Sequence, residues 1–167
     1  MPAQIPTWAQ IQALAAQLGE LAVRQQLTLT TAESCTGGLL AAAITDIAGS
    51  SGWFEQGIIS YANAVKTRLL GVETTALAEH GAVSEVVVRQ MALGARQLAG
   101  ADWAMATSGI AGPGGGSLAK PVGTVWFAWA GPDGAVCQCC HFAGDRQAIR
   151  WQAVHYALQQ LQEKISA

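Results

Sequence analysis

Charged side chains are scarce in this sequence. Lys, Arg, Asp and Glu make up 12% of its 167 residues, while hydrophobic residues make up 51%. So apolar a chain buries enough surface to offset the entropy of ordering, which excludes intrinsic disorder. Lys and Arg together number nine and form no cluster, and the formal net charge is −2. That excludes the basic footprint of a nucleic-acid partner. Long hydrophobic runs are missing as well. The stretch Leu39 to Ile44 ("LLAAAI") is far too short to span a bilayer, so no membrane partner is expected. The opening "MPAQIPTW" has no basic segment and no apolar one behind it. No secretory leader is expected, and the cytoplasm is the expected location. A surface this poor in charge leads us to expect that part of it is covered in a homodimer or higher homo-oligomer.

Cysteine is limited to four positions, Cys35, Cys137, Cys139 and Cys140. The run "CQCCH" (Cys137 to His141) invites a metal reading. On an extended strand, Cys137, Cys139 and His141 face one side and Cys140 the other, and no second Cys pair stands at zinc-site spacing. These thiols read as small hydrophobes in a strand, and no metal or other cofactor is expected.

What is present is an alternation of helical and extended patterns. Trp8, Ile11, Ala15, Leu18 and Ala22 recur at helical spacing, predicting a helix over 7–25. "LTLTTAE" (Leu27 to Glu33) is β-prone. A helix is predicted from about Thr36, ending near Gly49, and a strand over Gly57 to Tyr61. Asn63 is expected to cap a helix that stops at Gly71; a short helix ends at Gly81; Ser84 caps the next, to Gly100. "ADWAMATSG" reads as a buried strand. "GTVWFAWA" and "AVCQCCHF" read as a hairpin turned at "GPDG", and Asp145 opens the last helix. No linker or repeat divides the chain, so one α/β domain over residues 1–167 with a mixed sheet is expected.

Two polar loops stand out, each following a strand, where ligands collect in open α/β sheets. The first, "TAESCTGG" (Thr31 to Gly38), packs an acid, two hydroxyls, a thiol and two glycines into Glu33–Gly38. Gly37 and Gly38 are placed in the first helical turn, where free N–H groups favour an anion or an oxyanion. The residues alone leave three readings: a nucleophile turn built on Ser34 or Cys35, a loop that only holds an anion, or a plain N-cap by Ser34 or Thr36 with two glycines that ease tight helix–strand packing. The second loop, glycine-rich from Gly109 to Gly116, begins beside Thr107 and Ser108 and is no Walker A loop. A nucleophilic serine needs a base. His80, His141 and His155 read as structural. Lys66, in the first turn of the helix after Asn63, is the better candidate, because the helix dipole and burial would both favour its neutral form; the residues alone also allow, and favour, an ordinary surface lysine in "VKTR".

Together, "TAESCTGG", "ITDIAGSS", "GIISYANAVKTRLLGV", "GAVSE", "SGIAGPGGG", "KPVGTVWFAWA" and "FAGDR" resemble the CinA C-terminal domain family. The blocks run in order from Thr31 to Arg146, and helices at both ends extend the likeness over nearly the whole chain. The resemblance implies an α/β fold, a three-layer α/β/α sandwich with a mixed, mainly parallel sheet. It implies hydrolysis of the carboxamide of nicotinamide mononucleotide (NMN) to nicotinate mononucleotide and ammonia, without a metal. The family's nucleophile corresponds to Ser34, and its tyrosine and lysine to Tyr61 and Lys66, the lysine acting directly or through the tyrosine. Substrate contacts fall on Ser108, Gly109, Ala111 and Gly112, with Thr107 adjacent, and on Arg146 or Arg150 in the last helix. In the first loop Glu33, Thr36, Gly37 and Gly38 join the substrate site. Glu33 orients the turn or serves as a base. The competing expectation is a non-catalytic module that binds a pyridine nucleotide or acts as a scaffold of the competence/damage-inducible type.

Overall fold

The computed structural model describes residues 4–167. In chain order, α1 is Trp8–Gln25, β1 Leu29–Glu33, α2 Leu39–Thr45, β2 Phe54–Ile59, α3 Asn63–Leu70 and α4 Thr74–His80. They are followed by α5 Glu85–Ala99, β3 Trp103–Gly109, β4 Thr124–Gly131, β5 Gly134–His141 and α6 Arg146–Ser166. The strands form one sheet in the order β2-β1-β3-β4-β5. β1 pairs parallel with both β2 and β3, and the β3–β4 and β4–β5 pairings are antiparallel. Only β4 therefore runs against the other strands. The layered α/β arrangement with a mixed sheet is the expected one.

Alternation along the strands splits the core in two. One face buries Leu29, Met105, Phe127 and Trp129 against α1, α2 and α6; the other buries Ala32, Ala104, Ala106 and Ala128 against α5. The small alanines let α5 lie close to the sheet. Gly94 of α5 takes this further: a Cβ there would come 1.9 Å from the Leu70 carbonyl oxygen, so α3 and α5 touch backbone to backbone. The expected side-splitting of the cysteines holds, with Cys137 on the α5 side and Cys140 on the α6 side.

The helix ends show which local signals acted. Thr7 makes a capping box with Gln10, Ser84 accepts from the Val87 N–H, and Asp145 accepts from the Ala148 N–H. Two expectations are corrected. Asn63 is the first helical residue of α3, and the N-cap is Ala62, with no side-chain cap. The helix predicted from Thr36 to near Gly49 is α2, Leu39–Thr45, with Gly38 as its N-cap. Gly37 and Gly38 have φ of +57° and +104°, so they form a left-handed turn ahead of the helix rather than its first turn.

Candidate active site

Parallel register aligns the carboxyl ends of three strands, with Glu33 opposite both Ile59 and Thr107. The chain leaves β1 toward β2 on one side and returns to β3 on the other, so β1 and β3 flank a topological switch point. Ser34 is the first residue past β1. Its N–H donates to the Thr107 carbonyl at 3.0 Å, which ties the turn to the neighbouring strand.

Lys66 lies one turn into α3 and is only 1% exposed. Its Nζ is 3.0 Å from Ser34 Oγ, 2.8 Å from the Ser60 carbonyl oxygen and 3.1 Å from the Tyr61 carbonyl oxygen. Burial lowers its pKa from the usual lysine value. No carboxylate forms an ion pair with it among the described residues. The geometry suits the neutral amine: two N–H bonds meet the two carbonyls, and the lone pair is left for the Ser34 hydroxyl proton. The ammonium form donates to the same three oxygens, so a proton can arrive and leave without rearrangement. The Ser60 carbonyl carried no sequence signal, because a backbone oxygen is the same in every residue type.

Cys35 stands apart from this chemistry. It packs in the α6-side core, and burial, with the Glu33 carboxylate adding to it, pushes its thiol up to about 12. Such a thiol is inert at neutral pH.

Glu33 is fully buried, and its oxygens are occupied. Oε1 accepts from Thr36 Oγ1 at 2.6 Å and from the Leu40 N–H at 2.8 Å, and Oε2 accepts from the Ala41 N–H at 3.1 Å. Burial raises its pKa, and these hydrogen bonds oppose the rise. Thr107 Oγ1 lies 2.8 Å from Thr36 Oγ1, and because the Thr36 hydrogen goes to Glu33, Thr107 is the donor. Glu33, Thr36 and Thr107 thus form a buried chain. At the start of α2, where the sequence suggested an anion cradle, the Leu40 and Ala41 N–H groups go to Glu33 and the Leu39 N–H to the Thr36 carbonyl.

The other expected residues separate. Tyr61 is 62% exposed, and its hydroxyl accepts from Arg146 Nη2 at 3.3 Å. Its hydroxyl makes no hydrogen bond to Ser34 or Lys66, whereas Lys66 Nζ meets Ser34 Oγ directly. Ser108 turns to the α5 side and donates to the Ala82 carbonyl at 2.8 Å, while Thr107 faces the Ser34 turn. Gly109 pairs with Val125 within the sheet, and Ala111 is buried in the α6-side core. The Gly112 carbonyl accepts from Arg146 Nη1 at 2.7 Å. Arg150 reaches the first loop instead: Nε donates to the Cys35 carbonyl at 3.0 Å and Nη2 to the Thr36 carbonyl at 3.2 Å. Arg146 and Arg150, together with Trp8, Leu39, Gln147 and Trp151, line a cleft of about 530 Å³ beside the turn. A more apolar groove of about 570 Å³ between α1 and Trp53 contains none of these residues.

A family model described as the CinA C-terminal domain matches residues 11–165. The nicotinamide-nucleotide amidohydrolase PncC of Enterobacter agglomerans is 55% identical over 147 residues, covering 87% of this chain and 90% of that protein. The nicotinamide-nucleotide amidohydrolase PncC of Escherichia coli strain K12 is 54% identical over 157 residues, covering 93% of this chain and 94% of that protein. Among solved structures, the competence/damage inducible protein CihA from Agrobacterium tumefaciens matches with a TM-score of 0.92 and 40% identity, covering 99% of both chains.

Proposed function

The chain belongs to the CinA C-terminal domain family, and from that premise we propose that it is a nicotinamide-nucleotide amidohydrolase that cleaves NMN by a serine–lysine mechanism. The names of the amidohydrolase relatives support the substrate. The observation that carries the mechanism is the buried Lys66 Nζ, 3.0 Å from Ser34 Oγ with no carboxylate partner among the described residues.

Ser34 Oγ attacks the carboxamide carbon as neutral Lys66 takes its proton. The tetrahedral oxyanion collapses, the C–N bond breaks, and protonated Lys66 returns the proton to the departing nitrogen, which leaves as ammonia. Water then gives a proton to Lys66 and attacks the acyl-enzyme. Ser34 leaves with that proton, and nicotinate mononucleotide is released. Arg146 is assigned to the substrate phosphate. It stands exposed in the first turn of α6, beside the glycine-rich loop, where guanidinium and helix dipole act together. Tyr61 accepts from Arg146 through its hydroxyl and so stands beside it. Thr107 and Glu33 shape the turn from behind. The same reading takes the working form to be a cytoplasmic homodimer or higher homo-oligomer, supported by the charge-poor composition.

The first experiment is ammonia release from NMN, without added metal, by the native protein, Ser34→Ala and Cys35→Ala. Ser34→Ala is expected to fold and bind NMN with turnover lost, and Cys35→Ala to keep kcat within about threefold, since its thiol is only packing. Loss of turnover in Cys35→Ala with retention in Ser34→Ala would reverse the assignment. NMN binding without any ammonia would favour the non-catalytic module.

A further inference from the structure

An oxyanion needs donors, and those at the start of α2 are taken. A full accounting of the amide groups around Ser34 narrows the choice. Ser34 N–H goes to the Thr107 carbonyl, Gly37 N–H to the Ser34 carbonyl and Leu39 N–H to the Thr36 carbonyl. Leu40 and Ala41 N–H go to Glu33, and Gly38 N–H bears on the same carboxylate. Within Ser34–Ala41 this leaves the N–H groups of Cys35 and Thr36 with no acceptor on another described residue, the Cys35 N–H bearing only on its own sulfur.

The carbonyls of those same two residues are the ones that Arg150 holds. The Cys35 carbonyl and the Thr36 N–H belong to one peptide unit. A cation donating to that oxygen polarises the unit and makes its N–H a stronger donor. The turn is shaped for this contact. A Cβ on Gly37 would stand 3.1 Å from Arg150 Nη2, so only glycine at this left-handed position leaves the guanidinium full room. We propose that Arg150 is a positioning residue whose guanidinium, together with Glu33, holds the Cys35 and Thr36 N–H groups as the oxyanion hole of Ser34. The inference rests on Ser34 being the nucleophile and not on which amide is cleaved.

The two arginines of α6 therefore have different tasks, one toward the substrate and one toward the turn. A phosphate-binding arginine affects KM and loses its effect when the substrate has no phosphate. An arginine that organises the oxyanion hole affects kcat on any substrate.

The test uses the full chain with Arg150→Met and Arg150→Lys, checked by thermal melting. Three quantities are measured: kcat and KM on NMN, the same on nicotinamide riboside, and the rate at which a fluorophosphonate labels Ser34, followed by intact mass. In the labelling step Ser34 Oγ bonds to phosphorus, fluoride leaves, Lys66 takes the proton, and the phosphoryl oxygen occupies the oxyanion hole. Arg150→Met is expected to lower kcat and the labelling rate by about tenfold or more, with KM within about twofold and the same loss on the riboside. Arg150→Lys is expected to recover part of both rates, because a single ammonium meets one carbonyl and not two. A raised KM with kcat kept, together with a defect that vanishes on the riboside, would make Arg150 a phosphate ligand and overturn the proposal. So would a labelling rate equal to that of the native protein in either variant, or no labelling of the native protein at all. Labelling that depends on Arg150 in a protein that releases no ammonia from NMN would keep this inference and remove the substrate assignment. If Arg150→Met fails to fold, Arg150→Lys alone decides.

Discussion

Ser34 and Cys35 are neighbours in the chain and opposites in chemistry. The serine meets a buried amine, whereas the thiol is sunk in the core and held near 12 by burial and by Glu33. Sequence placed both in one turn and named Lys66 as the base. It had no means of telling which side chain Lys66 would reach, because the two lie 32 positions apart in sequence. The lysine gives the residue-scale prediction. The proposed mechanism needs its neutral form, and burial lowers its pKa from 10.5. We expect kcat/KM to rise with pH through that lowered value and to level off above it. A rise in the carboxylate range instead, around pH ~4, would give the role of base to Glu33. Tyr61 illustrates the converse: the family resemblance offered it as a relay, and in the fold it is largely exposed with its hydroxyl on Arg146.

At the scale of elements, the site depends on helices holding side chains at fixed depth. The N-terminus of α2 is closed by Glu33, from the end of β1. The glycine pair that looked like the helix's first turn is the left-handed bend that lets this happen. Sequence marked these positions as unusual but could not give the sign of φ. α3 carries Lys66 and is pressed against α5 through Gly94. Gly94→Ala would drive a Cβ into the Leu70 carbonyl and push α3 outward. We expect a loss of about 1–3 kcal/mol in unfolding free energy, with a fall in kcat as Lys66 moves from Ser34. Chemical denaturation and steady-state kinetics on the same variant check both. Unchanged stability would mean that α3 moves aside without strain. Nothing in "MALGARQ" singled out this glycine, since close approach is made by a partner distant in sequence.

For the whole molecule, a buried lysine with no carboxylate partner among the described residues makes stability depend on pH. In the unfolded chain Lys66 titrates near pH ~10.4. In the fold its pKa is lower, so between the two values the unfolded chain binds a proton that the folded one does not. Stability therefore rises with pH across that window, and the cost of burying the charge is fully present below it. We expect Lys66→Met to flatten this alkaline rise relative to the native protein, measured as the midpoint of urea unfolding at a series of pH values. Equal slopes in the two proteins would mean that Lys66 keeps an ordinary pKa in the fold.

The sequence by itself determined the order of helices and strands, most of the caps, the two polar loops and the pool of site candidates. Those follow from periodicity, turn chemistry and local spacing, which act over a few residues. Only the tertiary structure decided which candidates meet. Strand order brought β1 between β2 and β3, so that Ser34, Ser60 and Thr107 share one end of the sheet. Alternation sent Thr107 to one face and Ser108 to the other. One helical turn separates Arg146 from Arg150, and that turn sends the first to the glycine-rich loop and the second to the Ser34 turn. These outcomes depend on direction and distance between distant segments, and no local pattern encodes them.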